Sequence, residues 1–231
     1  MRSPKIFVAL DYSSEHEAHQ IINILEPKFC GVKVGKELFT AVGPKIVDYL
    51  HHKGFSVFLD LKYHDIPNTV KKACHSASNL GVCMLNVHAL GGIEMMVSAK
   101  EGIDQSENNP LLIGVTMLTS HNQNSLNDIG IEKPINNQIS KLAVNVANSG
   151  LDGIVSSAND LNFLKPLLPE HFHFITPGIR LNDTKNDDQK RVATPINAIK
   201  QGSTILVVGR PITEARNPLE VLKEIQIFVI K

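Results

Sequence analysis

Short, nearly continuous apolar runs recur along the chain at 6–10, 55–59, 84–87, 111–115 and 205–208. Runs of this kind suit strands buried on both faces rather than strands with one wet face. Between them, apolar residues fall at helical spacing, as in Ala18, Ile21, Ile22 and Leu25, or Leu142, Ala143, Val146 and Ala147. Several of these stretches are closed by Gly or Pro, which stop helices. Weaker runs at 31–34, 153–155 and 172–175 complete the alternation and bring the predicted strands to eight.

Eight strand–helix units in 231 residues predict one α/β domain over 1–231, of the (β/α)8 TIM-barrel class. An open doubly wound sheet would show the same alternation. The placement of polar residues separates the two. Asp11, Lys33, Asp60, Lys62, His88, Thr116, Thr176, Gly209 and Arg210 all fall at or just beyond the C-terminal ends of predicted strands. Barrel closure brings those ends to one mouth, where such enzymes carry their chemistry, whereas an open sheet spreads them along a crevice. No repeat or linker interrupts the pattern, and 105–110 reads as a polar turn.

Composition narrows the function. With 42% hydrophobic and 20% charged residues, the chain can bury a sizeable core. Lys plus Arg and Asp plus Glu are 23 each, so no net charge calls for nucleic acid. Cys30, Cys74 and Cys83 contain no Cys-x-x-Cys pair and suit buried thiols better than a disulfide framework or a zinc site. The apolar run at 6–10 is too short for a signal peptide, and none approaches membrane-spanning length, so a cytoplasmic protein with no membrane partner is expected.

The most informative stretch is Asp60-Leu61-Lys62-Tyr63-His64-Asp65-Ile66-Pro67-Asn68-Thr69. On a regular strand Asp60 and Lys62 face the same side. Pro67 suits a first helical turn, which leaves Asp65 in the strand-to-helix loop. A solvated loop with an incidental ion pair is the plain alternative. In a barrel, however, Lys33 and Asp11 on the preceding strands lie beside this pair. Alternating charges gathered in one mouth are costly to bury unless each has a partner, so they mark a candidate site.

Asp-x-Lys-x-x-Asp-Ile-Pro-Asn-Thr after a buried strand resembles the signature of the orotidine monophosphate decarboxylases, in their bacterial branch. Supporting segments run along nearly the whole chain: Leu10-Asp11, Val32-Lys33-Val34-Gly35, Asn86-Val87-His88-Ala89, Leu118-Thr119-Ser120, Thr176-Pro177-Gly178-Ile179-Arg180, Asp188-Gln189-Lys190-Arg191 and Val208-Gly209-Arg210-Pro211. The resemblance implies conversion of orotidine 5'-monophosphate to uridine 5'-monophosphate and CO2, the last step of UMP synthesis, without cofactor or metal. It implies that Lys62 protonates C6 of the pyrimidine, with Asp60 and a partner subunit's Asp65 flanking it. It further implies that Lys33 and Asp11 hold the ribose hydroxyls and complete the charge network, that Thr119 and Ser120 contact the base, and that Arg180, Gln189, Gly209 and Arg210 grip the phosphate. Ile66 and Thr69 are then substrate contacts, Thr69 reaching into the neighbour's site, and a homodimer follows. The polar stretch 182–188 would close over bound substrate.

Rival readings remain at this level. Metal-dependent sugar-phosphate lyases of the same superfamily carry a similar Asp-x-Lys-x-x-Asp, but that branch has a glutamate where this chain has Lys33, and an ammonium there would repel magnesium. A Schiff-base aldolase would need a lysine depressed towards neutrality, and a barrel that binds a phosphorylated ligand without turnover is a third possibility. His16-Glu17-Ala18-His19 spaces its histidines three apart, not the four of a zinc helix, and reads as a solvated helix face. Gly31 to Lys36 is one residue short of a P-loop. His88 reads as a hydrogen-bonded structural histidine, and His51-His52 as a helix end.

Overall fold

The computed structural model describes residues 4–181 and 192–229. Eight parallel strands close on themselves in sequence order: β1 (Ile6–Leu10), β2 (Gly31–Gly35), β3 (Val57–Tyr63), β4 (Met84–His88), β5 (Leu111–Val115), β6 (Gly153–Val155), β7 (His173–Thr176) and β8 (Ile205–Val208). Closure is made by β1 pairing with β8, Phe7 opposite Val207. The helices are α1 (Glu15–Ile22), α2 (Lys36–Val42), α3 (Lys45–His52), α4 (Pro67–Ser78), α5 (Gly92–Asp104), α6 (Gln123–Asp128), α7 (Ile135–Asn148), α8 (Leu161–Leu164), α9 (Pro195–Gln201), α10 (Arg210–Thr213) and α11 (Pro218–Val229). The expected (β/α)8 barrel is therefore the fold, and the open-sheet alternative is excluded by the β1–β8 pairing.

Strand alternation divides the core into two layers. Ile6, Val8 and Leu10 point outward with Val32, Val34, Val57, Leu59, Leu206 and Val208, and meet the helices. Phe7, Ala9, Phe58, Met84, Ile113, Ile175, Ile205 and Val207 point inward and fill the barrel. Each fully buried side chain of this size contributes about 1.5–3 kcal/mol of transfer free energy, which is why the strands need no polar face. Phe7 and Phe58 meet edge to face, centroids 5.9 Å apart, and form a floor beneath the mouth. Gly31, opposite Phe7, leaves the room for that ring, since a Cβ there would stand 2.5 Å from Phe7 Cε1.

The structure corrects three local expectations. β2 runs on to Gly35, so Lys33 sits within its strand rather than at its end. β3 starts at Val57 and continues to Tyr63, carrying both Asp60 and Lys62. Its pairing with β4 slips on the way: Leu59 faces Leu85, yet Tyr63 faces Val87. Lys62 lies inside this irregularity with φ 52°, so the regular pleat is broken there, yet Asp60 and Lys62 face the same cavity as expected. The helix that resembled a zinc helix is structural. Ser14 caps α1, Glu17 Oε2 accepts from Ser14 Oγ at 2.8 Å, and His19 stacks on Tyr49 at 3.9 Å, packed against α3 rather than solvated.

Candidate active site

The C-terminal ends of the strands open into a cavity of about 740 Å³. Ala9, Phe58, Val115, Met117, Ile175 and Val207 form its apolar depth, and Asp11, Lys33, Asp60, Lys62, Thr119, Ser120, Arg180, Gly209 and Arg210 also line it. Residues expected at the site thus converge from six strands. Thr116 and Thr176 take no part in the lining: Thr116 Oγ1 donates to the Val155 carbonyl at 3.1 Å, and Thr176 Oγ1 and Ser203 Oγ share a hydrogen bond of 2.5 Å. Both bind strands to their neighbours instead.

The charged side of the mouth is a relay of alternating sign. Lys33 Nζ lies 3.0 Å from Asp11 Oδ1 and 3.2 Å from Asp60 Oδ2. Asp60 Oδ1 in turn lies 2.6 Å from Lys62 Nζ. Gly35, opposite Asp60, keeps this corner open, because a Cβ there would come within 3.2 Å of both Asp11 Oδ1 and Lys33 Nζ. Burial alone would push the Asp60 carboxyl up, but Lys33, Lys62 and the hydrogen bonds from Lys62 and Asn86 outweigh it and hold the group below the usual carboxylate range. Burial likewise pulls the Lys33 ammonium down, and Asp60 and Asp11 more than reverse that. Asp60 is 8% exposed, so removing either cation would leave a buried charge short of a partner, at a cost of about 3–5 kcal/mol.

Sequence reasoning missed Asn86 as a site residue. Fully buried on β4, it donates Nδ2 to Asp60 Oδ1 at 2.7 Å and accepts the Lys62 backbone N–H on Oδ1 at 2.8 Å. An amide inside an otherwise apolar strand was the available signal. His88 also departs from expectation. Its Nδ1 is buried with no hydrogen-bond partner among the described residues. Its ring lies 5.6 Å from that of His64, and burial, then the nearby His64, Lys62, Lys36 and His121, lowers its pKa to about 4.

Asp65, Ile66 and Thr69 are exposed and lie outside the cavity lining of their own chain. Asp65 Oδ1 accepts the Ile66 backbone N–H at 2.7 Å, and Ile66 is 66% exposed. On the opposite side of the mouth, Arg180 Nη1 donates to the Ile179 carbonyl at 2.8 Å, and Gly209 and Arg210 follow β8. Gln189 and the stretch 182–188 lie outside the described residues. All three cysteines are free, and burial pushes each thiol up to about 12, which makes them poor nucleophiles.

A closed barrel whose strand ends hold a lysine–carboxylate relay beside an open, arginine-bearing rim belongs to the class of TIM-barrel enzymes that act on small anionic substrates. The chain belongs to the Orotidine 5'-phosphate decarboxylase / HUMPS family, whose model matches residues 4–225. It is 50% identical over 221 residues to the orotidine 5'-phosphate decarboxylase of Legionella pneumophila strain Philadelphia 1, covering 95% of this chain and 96% of that protein. It is 49% identical over 228 residues to the enzyme of that name from Aliivibrio fischeri strain MJ11, covering 98% and 97%. The crystal structure of orotidine 5'-phosphate decarboxylase from Lactobacillus acidophilus superposes with a TM-score of 0.88 at 35% identity, over 99% of this chain and 100% of that one.

Proposed function

We propose that this chain decarboxylates orotidine 5'-monophosphate to uridine 5'-monophosphate, without metal or cofactor, as a homodimer. The observation that carries the reading is the relay Asp11–Lys33–Asp60–Lys62, which sets a lysine beside the apolar depth of the cavity. The family's other branch takes a divalent cation. Here the ammonium of Lys33, 3.2 Å from Asp60, stands where such an ion would need a carboxylate.

The reaction breaks the bond between C6 and the carboxylate carbon, and the electron pair stays on C6 as CO2 leaves. Lys62 stabilises that developing charge through its ammonium and then transfers one proton from Nζ to C6. A fixed cation in a water-poor site is worth far more to a carbanion than the same cation in water. Asp60 keeps the ammonium in place, and Asp65 of the partner subunit approaches it from the far side. Ile66 and Thr69 of the partner enter with Asp65, which accounts for their exposure in the single chain. Lys33 and Asp11 take the ribose hydroxyls, Thr119 and Ser120 the base, and Arg180, Gln189, Gly209 and Arg210 the phosphate. Binding energy from the phosphate, remote from C6, holds the reacting ring against the relay.

The decisive experiment follows the absorbance of orotidine monophosphate with purified protein, excess EDTA and no added cofactor. Conversion to uridine monophosphate is expected. Folded protein that turns over nothing until magnesium and a sugar phosphate are supplied would assign it to the other branch.

A further inference from the structure

We infer that Asn86 is a positioning residue for the decarboxylation, setting both the rotation of the Asp60 carboxylate and the backbone from which Lys62 projects. The inference rests on the proposed function. Lys62 is, among the described residues, the one non-glycine residue with positive φ. Such a conformation persists only where surrounding contacts over-determine it. At this point β3 and β4 have slipped in register, and the Lys62 N–H goes to the Asn86 side-chain oxygen at 2.8 Å. The nitrogen of the same amide, 2.7 Å from Asp60 Oδ1, fixes the oxygen that also receives Lys62 Nζ.

Asp60 therefore has each oxygen committed, Oδ2 to Lys33 and Oδ1 to Lys62 and Asn86. Only a side chain that donates and accepts at once, at this length, performs both tasks. Asparagine does so in every ionisation state of its neighbours. Aspartate at 86 would do so only while protonated, and once ionised it would face Asp60 as a like charge. The other charged or titratable groups at this corner are Lys62 beside Asp60 on β3, Lys33 on β2 with Asp11 behind it, and His88 on β4, whose depressed pKa keeps it neutral through the mildly acidic range.

The test measures kcat and KM for the wild type, Asn86→Asp and Asn86→Ser from pH 5 to 8, with thermal unfolding to establish that each is folded. Asn86→Asp should lose at least about tenfold in kcat as pH rises, while the wild type changes little. Asn86→Ser, too short to bridge, should lose about tenfold or more at every pH, with KM moved far less than kcat. It also carries the test if Asn86→Asp does not fold. A pH-independent kcat in folded Asn86→Asp, wild-type kcat in Asn86→Ser, or a loss confined to KM in either overturns the role. A wild type that fails to decarboxylate brings down the functional reading and this role with it, whereas an active wild type beside unimpaired variants overturns this role alone.

Discussion

Above β1 to β4, Asp11, Lys33, Asp60, Lys62 and Asn86 hold one another at 2.6–3.2 Å, with Asp60 and Asn86 buried. Above β5 to β8, Thr119, Ser120, Arg180 and Arg210 stand on loops or a short helix, half-buried or exposed. The first side is held by its own ion pairs and hydrogen bonds, so its dipoles and charges need little reorganisation when charge develops on a substrate. On the second, a planar guanidinium fork suits an anion without a buried frame. The proposed function thus assigns chemistry and grip to differently built parts of one barrel rim.

The largest expected effect comes from the rigid side. Lys62→Ala should lower kcat by about 10⁴-fold or more, because it removes both the stabilising charge and the proton donor. Mixing it with Asp65→Ala should restore part of the activity, since in the proposed homodimer a hybrid would carry one site with both residues intact. Near-normal turnover by Lys62→Ala, or no recovery in a mixture shown to exchange subunits, would break the division of labour. On the arginine-bearing side, Arg210→Ala should raise KM by roughly tenfold to a hundredfold, the worth of a charge-assisted hydrogen bond, with a smaller change in kcat. An unchanged KM would take Arg210 away from the phosphate.

The smallest effect concerns stability at the seam between the two sides. His88 has a folded pKa of about 4 against an ordinary 6.5, so protonation favours the unfolded chain. Stability should fall as pH drops from about 6.5 to about 4, by about 1–2 kcal/mol after allowance for solvent at this half-buried ring. His51, lowered by burial, adds to the same window. Asp60 acts lower: its depressed pKa contributes stability that is present above 3.8 and lost as pH falls below it. His88→Gln should flatten the upper part of the Tm-against-pH curve, and an unaltered slope would remove His88 from that account.

Much of the frame was legible in the chain. The inward and outward layers follow from residue type and the two-residue period of strands, and Asp60, Lys62 and Lys33 announced themselves as charges in or beside apolar strand runs. Where the reading failed, the missing information lay between strands. Lys62 was expected on a regular pleat, but a register slip against β4 turns its backbone to φ 52°. Thr116 and Thr176, polar and correctly placed along the chain, turn away to hold neighbouring segments. His88 looked like a residue with a partner and has none at Nδ1 among the described residues.

By itself the sequence determined the order of strands and helices, the closed architecture's apolar layers and the residue types available at the mouth, because these rest on local periodicity and composition. The tertiary structure alone decided which of those residues meet. Asp11 and Lys33 are 22 positions apart, and Asn86 and Asp60 are 26 apart. Hydrogen bonds across such separations depend on register and closure to within a fraction of an ångström, and no local pattern encodes distances that fine.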